Sequence, residues 1–235
     1  MPNGERARIL GGVNPPLESG PLHLSPDPRS MAPFEVHDLR GHPIRELRYP
    51  TTAAVIVTGV PGAGKSTALR RLFGCSSDAV RPAAGPDGTV LLDSQHSRNW
   101  WQQYLGVVPY PLWLPIVHVT HYLRIRAALH RADGPVVIHD CGTRQWVRHL
   151  VALWARTAGR QVHMIMIDAP AEQALAGQVS RGREVSALSF RVHCAKWRRL
   201  VDAVAAGTKP RPEPASVVIL DRRTVTELRE VSFAA

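Results

Sequence analysis

Residues 59–66 read Gly-Val-Pro-Gly-Ala-Gly-Lys-Ser, directly after a short β-rich run at 53–58 and directly before a helix-favouring stretch at 65–73. That spacing fits G-x-x-x-x-G-K-[ST] in its strand–loop–helix setting. Each part has a mechanical reason. Glycines let the backbone take turns closed to other residues, so successive N–H groups point into one cavity. The helix that starts there turns its positive dipole end toward a phosphate. Lys65 reaches the outer phosphates and the Ser66 hydroxyl ligates Mg²⁺. The pattern predicts that Gly59, Val60, Pro61, Gly62, Ala63, Gly64, Lys65, Ser66 and Thr67 bind a nucleoside triphosphate, with Lys65 also acting on the transferring group.

The rest of the 235-residue chain bounds what surrounds this loop. At 44% hydrophobic residues it can bury a sizeable core, which excludes wholesale disorder. Lysine and arginine outnumber acids 29 to 19, and all but Lys65, Lys196 and Lys209 of those 29 are arginines. Guanidinium groups suit phosphate-bearing partners, so nucleic acid is one candidate partner. Cys75, Cys141 and Cys194 lie far apart, with no C-x-x-C pair, so neither a disulfide framework nor a cysteine zinc site is indicated. The N-terminus lacks the apolar core of a signal peptide, and the longest apolar stretch, 105–119, is interrupted by Pro109, Pro111 and Pro115. The expectation is a cytoplasmic protein with no membrane partner.

Residues 1–33 hold seven prolines and four glycines without an apolar period, and read as a disordered arm. Residues 34–51 read as two short strands around the Arg40-Gly41-His42-Pro43 turn, a β-hairpin extension. From residue 52 to 235, apolar strand-like runs near 53–58, 89–93, 135–139, 161–168 and 216–220 alternate with helical segments. The fold class expected is α/β, a five-stranded parallel sheet with helices on both faces. In one helix Phe190, Cys194, Trp197, Val201 and Val204 form a core-facing stripe that leaves Arg191, Arg198 and Arg199 outside it.

No N-K-x-D guanine signature occurs, and the chain after the loop is short for a motor-type ATPase, so a compact phosphotransferase is the best fit. In doubly wound sheets ligands sit beyond the carboxyl ends of the strands, which singles out the polar residues there. Asp93 is placed to orient and deprotonate an acceptor hydroxyl, with Arg98 holding an acceptor anion. Asp140, after an apolar strand, is placed to bind the Mg²⁺ water shell, with Arg144 near the transferring phosphate. His139 reads as a structural strand-end residue. The Arg-rich segment near 181–192 reads as a lid, whose Arg181 and Arg183 neutralise transition-state charge. His118 and His121 share a helix face without a third metal ligand.

Taken together, the loop at 59–67, Asp93 with Arg98, Asp140 and the arginine segment resemble the small P-loop kinases, an AAA_33-like group. It includes polynucleotide 5′-hydroxyl kinases, zeta-toxin-type sugar-nucleotide kinases and chloramphenicol phosphotransferases. The resemblance covers about residues 52–222. It implies the P-loop NTPase fold, ATP and Mg²⁺, Asp93 as the acceptor-activating base, Arg181 or Arg183 as lid arginine, and Asp221 beside the adenine. Three functions stay open on the sequence: a small-molecule or sugar-nucleotide kinase, a nucleic-acid 5′-hydroxyl kinase, and a regulatory ATPase with no phosphorylated product. The unknown is the hydroxyl acceptor.

Overall fold

The computed structural model describes residues 29–85, 87–179 and 187–234. Its centre is β4 (Ala54–Thr58), an apolar strand buried on both sides. Alternation decides what each face meets: Val55 and Val57 pack into one apolar cluster, Ala54 and Ile56 into another. Parallel neighbours β7 (Val136–His139) and β8 (Val162–Asp168) flank β4. Beyond them lie β6 (Val90–Leu92) and β9 (Ser216–Asp221), again parallel. These are the five strands expected. Two short strands complete a seven-stranded sheet: β2 (Val36–Asp38), parallel to β9, and β5 (Ala83–Ala84), antiparallel to β6. The expected five-stranded sheet is therefore the all-parallel centre of a wider one.

Helices cover both faces. On one, α1 (Lys65–Phe73) contributes Ala68 and Leu69, and α6 (Ala187–Ala205) contributes Phe190, Trp197, Val201 and Val204. That is the stripe its spacing predicts, with Cys194 partly buried alongside and Arg191, Arg198 and Arg199 exposed. On the other, α3 (Tyr110–Arg131) packs Ile125 and Leu129, and α4 (Gln145–Thr157) packs Val147, Val151 and Ala155. Between β6 and α3 runs α2 (Ser94–Leu105). The long α3 forms despite its prolines because Pro111 lies in the first turn, where no intrahelical donor is needed, and Pro115 is exposed. No helix among the described residues is long and apolar enough to cross a membrane.

The expected hairpin at 34–51 is corrected. Its two strands exist but never pair with each other, because they belong to different sheets. The second one, β3 (Glu46–Pro50), lies between β1 (Ser30–Met31) and β10 (Glu230–Ala234), parallel to both. Leu47 and Tyr49 alternate inward on β3 and are buried, so the strand signal was right and the partner was not. Parallel pairing also rules out a tight turn between neighbours. β1 takes residues from the expected arm; residues 1–28 lie outside the described part. The Arg40-Gly41 turn instead reaches the carboxyl ends of β8 and β9. Arg40 Nη1 donates to Asp168 Oδ2 at 2.9 Å and Gly41 N–H to Asp221 Oδ2 at 2.7 Å.

Candidate active site

The loop at 59–66 leaves the carboxyl end of β4, beside the point where the sheet order divides to either side. Its backbone is braced from two elements. Gln178 Nε2, on α5 (Ala171–Val179), donates to Pro61 O at 3.1 Å. Arg222 Nη2, opening α7 (Arg222–Glu227), donates to Gly62 O at 3.3 Å. Gly62 has φ 88°, and a Cβ there would lie 1.9 Å from Ala174 O. Gly62→Val is therefore expected to displace α5 or the loop. ATP association measured by calorimetry should fall at least about tenfold, with a lowered melting temperature, since strain at a left-handed backbone costs about 1–3 kcal/mol.

Lys65 is the first residue of α1 and only 7% exposed. Its Nζ donates to Gly59 O at 2.6 Å and Val60 O at 3.0 Å, which holds the ammonium across the loop mouth. Gly64, in the left-handed region at φ 102°, stands at the N-cap of α1, so no side-chain cap covers the helix start that faces the loop.

A cleft of about 310 Å³ opens there. Pro61, Gly62, Gly64, Lys65 and Ser66 form one wall; Asp140 and Arg144 form another. Gly59, Val60, Ala63 and Thr67 are not in its walls: Val60 and Ala63 are buried in the core and Thr67 is exposed. Asp140 Oδ2 accepts the Gly142 N–H at 2.8 Å.

Three expected residues stand elsewhere. Arg98 lies over the ring of Tyr110, 4.2 Å from its centroid, and is not part of the cleft. Asp221 caps α7, accepting the Thr224 N–H at 2.7 Å, and is also outside the cleft walls. Asp93 caps α2 through the Gln95 N–H at 2.9 Å, and its other oxygen lies 2.8 Å from His139 Nδ1. Burial alone pushes the Asp93 carboxyl up, but the charge and hydrogen bond of His139, then Gln95 N–H and His96, hold it well below the usual carboxylate range. Arg181 and Arg183 lie outside the described residues.

The cleft also contains residues that the sequence did not place at the nucleotide site: Ser94, Tyr122 and His193, together with His118, His121 and His139. His139 is a cleft residue rather than only a strand end. His121 is 3% exposed and both its ring nitrogens are buried without a partner. Burial lowers its pKa to about 4, so it is neutral near pH 7. The 118, 121, 122 spacing, one helix face, was the available signal. Trp100 and Trp101 are not in the cleft; Trp101 Nε1 donates to Thr120 Oγ1 at 2.8 Å, joining α2 to α3.

The profile of the AAA domain family AAA_33 matches residues 55–206, which include every residue of the cleft. This chain belongs to the AAA_33 family. Among solved structures, this AAA_33 chain is similar to one from the PezAT chromosomal toxin–antitoxin system of Streptococcus pneumoniae. The two share 14% identity over 75% of this chain and 71% of that one, with a TM-score of 0.48. It is similar too to the tunicamycin resistance protein of Deinococcus radiodurans, at 15% identity over 66% and 94%, TM-score 0.41. A gluconokinase from Sinorhizobium meliloti gives 14% identity over 77% and 89%, TM-score 0.39. No curated protein matches the chain.

Proposed function

We propose that this chain transfers the γ-phosphoryl group of ATP to a hydroxyl acceptor, a small molecule or a sugar nucleotide. One observation carries the reading: a single cleft joins the phosphate loop to the strand-end Asp140, to His139 and to Arg144. Loop amides and Lys65 bind and orient the polyphosphate. Arg144, and by expectation Arg181 and Arg183, balance charge on the group in transfer. The acceptor oxygen forms a bond to the γ-phosphorus, the bond from that phosphorus to the bridging oxygen breaks, and ADP leaves. The hydroxyl proton passes to the Asp93–His139 pair.

The residues present fit Mg²⁺. Ser66 and Asp140 bring hard oxygen donors to the same cleft, and this ion takes one or two protein oxygens with phosphates and water for the rest. Among the described residues no group of three or more His, Cys, Asp or Glu is arranged to hold a metal, so Ser66 and Asp140 are the residues that would hold the ion, beside the phosphates. When bound, the ion neutralises charge on the phosphates. A cytoplasmic setting suits this reading, since ATP is there and Cys75, Cys141 and Cys194 are free.

Acceptor screening with γ-labelled ATP against nucleosides, sugar nucleotides, antibiotics and oligonucleotides tests the proposal. Label should appear in a small hydroxyl compound. Salt-sensitive labelling of oligonucleotide 5′ ends would instead make this a nucleic-acid end kinase. Slow hydrolysis that no acceptor stimulates would make it a regulatory ATPase.

A further inference from the structure

A second recess, of about 750 Å³, opens between the start of α4 and the first turns of α6. Trp146, Leu188, Val192 and Lys196 line it, and it shares Arg144 and His193 with the catalytic cleft. Three large apolar side chains face water here: Trp146 is 55% exposed, Leu188 66% and Val192 46%. Apolar surface gathered in a concavity marks a binding site. Leu188, Val192 and Lys196 are four residues apart on α6, so one helix face presents two apolar groups and a cation. Arg144 adds a second cation, and among the described residues no carboxylate lines the recess.

Its link to the cleft is aromatic. The Trp146 ring meets Tyr122 edge-on, 5.6 Å between centroids and 76° between planes, and Tyr122 lines the cleft. None of the phosphate-loop residues that line the cleft reaches the recess, so it joins on the side away from the donor.

We propose that the recess is the distal subsite for the acceptor, and that the acceptor is a small molecule whose far end is an aromatic ring bearing an anionic group. This rests on the phosphotransfer reading of the cleft. The ring stacks on Trp146 against Leu188 and Val192, and Lys196 pairs with the anion, while Arg144, at the border of recess and cleft, stays with the group in transfer. A nucleic-acid strand would need a cationic track continuing past the recess. Arg191, Arg198 and Arg199 line a different recess, which shares none of the described residues with this one and contains Asp202.

Calorimetry on the full chain with three hydroxyl probes tests the assignment. 4-(Hydroxymethyl)phenyl phosphate has ring and anion, benzyl alcohol the ring alone, glycerol 3-phosphate the anion alone. The first is expected to bind at least about tenfold more tightly than either other. Trp146→Ala and Lys196→Ala should each weaken it about tenfold and leave ATP affinity unchanged, which also shows that the variants fold. Val192→Glu, at an exposed position, should weaken the aryl phosphate and spare benzyl alcohol. Equal affinity for the three probes, indifference to all three substitutions, or displacement by an oligonucleotide with steep salt dependence would overturn the proposal. Absent ATP association counts against the phosphotransfer reading; absent aryl phosphate association with ATP binding intact counts against the recess.

Discussion

A Lys65→Met variant is expected to keep the fold and lose most of the activity. Methionine retains an unbranched chain of similar volume, so the packing of α1 survives. What goes is the ammonium that donates to Gly59 O and Val60 O. Hydrogen bonds to charged groups contribute about 1.5–3 kcal/mol, so ATP association should weaken roughly 10- to 100-fold. Turnover should fall further, about 10²–10³-fold, because charge on the transferring group grows in the transition state and loses a fixed cation. Calorimetry and single-turnover release of labelled phosphate read the two effects apart. Unchanged ATP affinity in a folded Met variant would remove the phosphate-binding role.

The second large effect belongs to Asp93→Asn. Asparagine can still accept the Gln95 N–H and cap α2, so the helix start is preserved. The negative partner of His139 is lost. Turnover should drop about 10²-fold with ATP affinity unchanged, the signature of a group serving acceptor proton transfer alone. Full turnover in the Asn variant would exclude that role. Stability carries its own pH signature. The depressed Asp93 carboxyl contributes stability that is fully present above its unfolded value, about pH 4, and is lost as pH falls through the folded value. The melting temperatures of the parent and the Asn variant should therefore differ most near neutral pH and converge in acid.

Central strands were legible because each is a nearly continuous apolar run, a pattern that only a sheet covered on both faces accommodates. The phosphate loop was legible because its residues are dictated by backbone conformation, as at Gly62, where any side chain meets Ala174 O. Pairing was not. Leu47 and Tyr49 announce a strand at 46–50, yet nothing local tells that strand that its neighbours are Ser30–Met31 and Glu230–Ala234. On the acceptor side, a strand-end carboxylate looked like the reacting group. Only the fold shows that His139 from the neighbouring strand stands against it. Arg98 shows the same limit: its guanidinium lies over the ring of Tyr110, which the start of the next helix, α3, brings to it.

The small sheet has a bearing on how the chain is made. Glu46 and Glu230 sit opposite one another although nearly the whole P-loop unit is synthesised between them. Closing so long a loop costs entropy that few local contacts offset, so β3 waits on the ribosome with its inward face, Leu47 and Tyr49, uncovered until β10 emerges. Translation therefore leaves one edge of β3 unpaired while residues 51–229 are made, and that edge is open to wrong pairing until β10 arrives.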